Sequence, residues 1–108
     1  MSEADFVRKI VENMKQHIVT YAIRTNTSAH GKRGTPDIIA CCEGRMVVIE
    51  AKLEYNKPTA IQLAELQKWR DAGALACVLT HHPGMNIGRE VDHLLEAARQ
   101  GERDYVQT

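Results

Sequence analysis

Apolar residues at Phe6, Val7, Ile10, Val11 and Met14 recur at the i, i+3, i+4, i+7 interval, so residues 3 to about 16 are predicted to form an amphipathic helix. Ser2 stands where an N-cap belongs, with Asp5 three residues on and Glu3 near the positive end of the helix dipole. The next run, Ile18-Val19-Thr20-Tyr21-Ala22-Ile23, is β-branched and aromatic and of strand length. Residues 26–35, NTSAHGKRGT, have no apolar periodicity and two glycines, so they read as a loop carrying local positive charge.

Pro36-Asp37 then opens the apolar run Ile38-Ile39-Ala40-Cys41-Cys42, and Glu43-Gly44-Arg45 signals a tight turn into Met46-Val47-Val48-Ile49-Glu50-Ala51-Lys52-Leu53. Together these runs predict a β-hairpin. Pro58 introduces a second helix with Ile61, Leu63, Ala64, Leu66 and Trp69 at mostly helical spacing, and Gly73 stops it. Residues 75–80 read as a buried strand and residues 91–99 as a last helix, with Leu94, Leu95 and Ala98 on one side. The predicted order is αβββαβα, and the polar residues beyond Gly101 are expected to fray.

A chain of 108 residues with this pattern is one domain, residues 1–108, since two cores would each be too small to bury enough apolar surface. A hydrophobic share of 44% and a charged share of 26% exclude disorder and membrane classes. No run approaches the ~20 apolar residues of a membrane span, and the charged start MSEADFVRK is unlike a signal peptide, so a cytoplasmic setting is expected. Cys41, Cys42 and Cys77 are odd in number and lie in apolar runs, which predicts reduced thiols. With 14 basic and 14 acidic side chains, net charge does not itself point to nucleic acid, so any such surface must be local.

Chemistry concentrates on the hairpin. Side chains alternate along a strand, so Glu50 and Lys52 share one face while Ile49 and Ala51 take the other. Among the neighbours Val47, Val48 and Ile49 these charges are buried and need compensation. With the turn near Gly44, antiparallel pairing sets Asp37 opposite residues 50 to 52. Two carboxylates held together repel unless a cation intervenes, and hard oxygen donors suit Mg²⁺, with Mn²⁺ able to substitute. The Ala51 carbonyl is a candidate third ligand, and Lys52 is placed to hold an attacking water. The reaction class this suggests is phosphodiester hydrolysis.

Pro36-Asp37 followed by Glu50-Ala51-Lys52 resembles the PD-(D/E)xK nuclease signature, here in its usual order of elements. More specifically, Gly34-Thr35-Pro36-Asp37, Val48-Ile49-Glu50-Ala51-Lys52, and Gln62 with Trp69 and Gly73 behind it resemble the virus-type replication-repair nuclease domain, VRR-NUC. The resemblance implies an α/β, restriction-endonuclease-like αβββαβα core with a central mixed four-stranded sheet flanked by helices. It also implies a role for Gln62 at the site and for a glutamate of the first helix, Glu3, with Glu12 the competitor. Small stand-alone members of phages and bacteria are associated with homodimers cutting branched DNA such as four-way (Holliday) junctions. That activity is an expectation from the resemblance.

Each feature has a blander reading. Glu50 and Lys52 could be a strand ion pair, Asp37 a turn residue after proline, Gln62 an exposed helix residue and Glu3 a dipole partner. Arg24, His30, Lys32, Arg33 and Lys57 either grip DNA phosphates or belong to a solvated loop. His81 and His82 are adjacent on a strand end and point apart, so joint ligation is not expected. Trp69 reads as core. The alternatives to a branched-DNA nuclease are a non-catalytic DNA-binding or inhibitor module on the same fold, and a related nuclease acting on linear duplex or RNA.

Overall fold

The computed structural model describes residues 1–25 and 32–107. Helix α1 (Glu3–Met14) is followed by β1 (Thr20–Arg24), β2 (Ile38–Cys42), β3 (Arg45–Leu53), α2 (Ala60–Asp71), β4 (Leu75–His81) and α3 (Ile87–Arg99). The predicted order of elements is therefore the observed one. The strands form one mixed sheet in the order β1-β2-β3-β4, antiparallel except for the parallel β3-β4 pair.

Local chemistry explains most of the boundaries. Ser2 caps α1 through its side chain on the Asp5 amide, and Asp5 returns the bond to the Ser2 amide. Thr59, not Pro58, is the N-cap of α2, in a reciprocal box with Gln62. Glu43 and Gly44 both have positive φ, the requirement of a two-residue type I′ turn, and this turn sets the hairpin register.

The sheet separates two layers. Val47, Ile49 and Ala51 of β3 join Phe6, Ile10 and Met14 of α1 and Leu94, Leu95 and Ala98 of α3 in the main core. On the other face Val48 packs with Leu66 of α2, Ala76 of β4 and half-buried Trp69. Trp69, expected in the core, is partly buried and packs against this smaller cluster.

Four expectations need correction. β1 begins at Thr20, because the chain is still turning through residues 17–19; Ile18 is fully exposed. In α2 the apolar positions do not all face inward: Ile61 and Leu63 are exposed, and the buried residues are Glu65 and Leu66. Helix α3 starts at Ile87, earlier than periodicity suggested, because the Asn86 side chain caps the Arg89 amide.

Residues 102–107 are also not frayed. The Arg103 carbonyl accepts from the Ala76 amide, and the Gln107 carboxamide bonds both the amide and the carbonyl of Thr80, so this tail runs along the outer edge of β4. Cys41, Cys42 and Cys77 are free thiols. No helix among the described residues is long and apolar enough to cross a membrane.

Candidate active site

The hairpin register sets Ile38 against Ile49, which places Asp37 beside Glu50 just past the end of the ladder. There the Asp37 side chain takes over the pairing: its Oδ2 accepts from the Ala51 amide at 2.9 Å. Its backbone is held from the other side, where its carbonyl accepts from the Thr25 amide at 2.9 Å and the Thr25 hydroxyl donates to the Pro36 carbonyl. Asp37 is therefore anchored on β3 and on Thr25, the residue that follows β1.

Glu50 is 1% exposed. Its Oε2 accepts from Gln62 Nε2 at 3.2 Å and lies 3.6 Å from Lys52 Nζ, so Glu50 and Lys52 do share a face. Its other oxygen, Oε1, is buried with no hydrogen-bond partner among the described residues. Burial above all, then the Asp37 carboxylate beside it, push the Glu50 carboxyl up to about 8; Lys52 pulls it down and Glu3 adds to the rise. A buried acid with an orphaned oxygen is an uncompensated site.

Glu3 completes the group. Carboxylate oxygens of Glu3, Asp37 and Glu50 lie within 4.8 Å of one another, the one cluster of this kind among the described residues. Glu12 lies apart from it, with its carboxylate on Arg8 at 3.1 Å on an exposed face. Three carboxylates with a lone buried oxygen form the hard-donor set that a divalent cation such as Mg²⁺ or Mn²⁺ would satisfy. The residues fit the ion.

Gln62 has two partners. Its Oε1 accepts from the Thr59 amide at 2.9 Å in the helix cap, while its Nε2 holds Glu50. The T-x-x-Q spacing is a signal that could have found the cap, whereas nothing in the spacing marks the bond to Glu50.

Arg24 is exposed at the end of β1, opposite Ile38, and Arg33 and Lys57 are exposed. Lys32 pairs with Glu65 at 3.3 Å. His30 lies outside the described residues. His81 packs its ring edgewise against Phe6 and His82 is exposed, so they form no ligand pair. Glu65, a buried acid on α2, went unnoticed in the sequence, because nothing in helical spacing distinguishes it from an exposed charge.

Comparison with known proteins gives a consistent picture. A protein-family model described as archaeal Holliday junction resolvase (Hjc) matches residues 3–101. The solved structure of Archaeoglobus fulgidus Hjc, a Holliday junction resolvase from an archaeal hyperthermophile, is similar with a TM-score of 0.61 and 24% identity, covering 76% of this chain and 69% of that one. A VRR_NUC domain structure is similar with a TM-score of 0.64 and 23% identity, covering 87% of this chain and 94% of that one. Both likenesses bear out the mixed four-stranded α/β fold. The VRR-NUC resemblance is met at the level of fold, while the family model is that of the archaeal resolvases. No curated protein matches the sequence significantly.

Proposed function

Since the chain belongs to the archaeal Holliday junction resolvase family, we propose that it is a metal-dependent, structure-specific endodeoxyribonuclease that hydrolyses phosphodiester bonds in four-way junctions, with Asp37, Glu50 and Lys52 at its centre. The observation that carries this reading is the convergence of Glu3, Asp37 and Glu50 within 4.8 Å, beside Lys52. Asp37, Glu50 and the Ala51 carbonyl would hold Mg²⁺, for which Mn²⁺ could substitute. When bound, the ion supplies a polarised water and stabilises charge on the phosphate.

The chain's own groups divide the remaining work. Lys52 presents an ammonium next to the reacting phosphate, where it orients the attacking oxygen and balances developing charge. Gln62 fixes the rotamer of Glu50. Glu3 brings a third carboxylate from α1. Arg24, Arg33 and Lys57 are exposed cations that can follow a phosphate backbone away from the cut.

We also read the working form as a homodimer. One acidic cluster per chain cuts one strand, so symmetric cutting of two strands requires two-fold assembly. An exposed sheet surface supports this. Tyr21 pairs Cys41 and Cys41 pairs Met46 across β1, β2 and β3, and all three are exposed, as is Ile23 beside them.

The test is cleavage of a synthetic four-way junction with Mg²⁺ or Mn²⁺, against flap, linear duplex and RNA of matched sequence. The junction should be preferred, and Asp37→Ala or Lys52→Ala should each reduce cutting by ~10²-fold or more with the circular dichroism spectrum retained. Full activity in either variant would overturn the assignment. Calorimetry adds a second readout: Mn²⁺ binding should depend on Glu50, and its absence would indicate a non-catalytic module on the same fold.

A further inference from the structure

Helix α2 meets the site at a second place. Glu65 lies three residues beyond Gln62, on the same side of the helix. It is 8% exposed, and its Oε1 is met by Lys32 Nζ at 3.3 Å and Lys68 Nζ at 3.2 Å. A carboxylate so placed needs cations. Its two partners differ in kind. Lys68 belongs to α2 itself, whereas Lys32 opens the turn that leads to Asp37.

That turn is tightly built. The Thr35 amide and hydroxyl both donate to the Lys32 carbonyl, at 3.3 and 2.6 Å. Gly34 has φ +81°, and a Cβ there would stand 2.7 Å from Ile61 Cγ2 and 3.1 Å from Glu65 Cγ, so the backbone lies flat against α2. Buried Pro36 and then Asp37 follow directly. The position of the turn against α2 thus decides where the Asp37 carboxylate begins.

Resting on the function proposed above, we infer that Glu65 is a positioning residue for Asp37. Through Lys32 it holds the turn of residues 32–35 against α2, and the turn aims Asp37 at Ala51 and Glu50. Helix α2 then secures both arms of the site, Glu50 through Gln62 and Asp37 through Glu65. Glu65 itself touches neither substrate nor ion.

The Ala51 amide reports this directly, because it donates to Asp37 Oδ2. Glu65→Gln and Lys32→Ala should each shift the Ala51 amide proton resonance and speed its exchange. Each should also weaken Mn²⁺ binding by about two- to fivefold, the scale of one partly exposed ion pair. The double variant should be no worse than either single one, since both break one contact. Lys68→Ala, which removes the partner within α2, should leave the Ala51 resonance and Mn²⁺ affinity unchanged.

An unmoved Ala51 resonance in Lys32→Ala, a surface change that does not threaten folding, would overturn the inference. So would an equal shift in Lys68→Ala. If the wild type neither bound Mn²⁺ nor cut DNA, the functional reading would fall, while the Ala51 resonance would still decide the role of Glu65.

Discussion

Glu50 is an acid whose surroundings favour its neutral form. Its carboxyl is raised from the ordinary 4.5 to about 8, so between those values the folded protein keeps a proton that the unfolded chain has released. Stability linked to Glu50 must therefore be greatest at the acid end, fall as pH rises from about 4.5 to about 8, and then level off. In urea melts without divalent ions, Glu50→Gln should remove this part of the slope, and Mn²⁺ should restore stability increasingly toward pH 8 as the cation replaces the proton. An unchanged slope in the variant would show that the strain lies elsewhere. The identity of this residue was legible because strand alternation forces Glu50 and Lys52 onto one face whatever the rest of the fold does. The choice of Glu3 over Glu12 was not. Helical periodicity says which residues share a face, and only the angle of α1 on the sheet brings its first turn to Glu50. Glu65 was hidden for a related reason: a charged side chain carries no mark of the cations that will bury it.

Among the elements, the hairpin was the most legible, since a two-residue turn and two apolar runs fix its register locally. The segment after α3 was the least. Its polar composition reads as solvated chain, yet the Gln107 carboxamide imitates a backbone unit, offering a donor and an acceptor to Thr80 as another strand would. Hydrophobic patterns do not record such bonds. Because the tail occupies the outer edge of β4, it also shields that edge from pairing with other chains. Gln107→Ala should lower the thermal midpoint by roughly 4–8 °C, the shift for about 1 kcal/mol in a chain of this size. A midpoint equal to wild type would mean that the other contacts of the tail, the Arg103 carbonyl on Ala76, Asp104 on Arg70 and Tyr105 on Glu90, secure it without Gln107. Helix α2 shows a mixed result. Its start near Pro58 and its stop at Gly73 were readable, but Ile61 and Leu63 face outward because the helix packs on β3 and β4 through a narrow stripe around Leu66.

At the scale of the whole molecule, α2 covers only one side of its sheet face, and Tyr21, Ile23, Cys41 and Met46 are left in contact with solvent. A charge total of zero gives no repulsion to keep copies apart. Light scattering on the wild type should give twice 12.1 kDa, and Tyr21→Glu with Met46→Glu should give the single-chain mass. The same variant should nick a junction on one strand where the wild type cuts two. A wild type that scatters as one chain would count against paired cutting by this surface. The exposure of Tyr21 and Met46 was not legible in the sequence, since it depends on where α2 ends up, not on their own strands.

The hairpin also imposes an arithmetic on the site. Twelve residues separate Asp37 from Glu50, and the two carboxylates face each other only because the turn at Glu43 and Gly44 consumes two of them and the strands share the rest equally. Lengthening must add one residue to each strand, so with this turn the interval can change only by even numbers. A single inserted residue would break the opposition and send one carboxylate to the far face of the sheet. The parity of that interval is a property of the site that can be counted in any sequence carrying the same hairpin, before its structure is known.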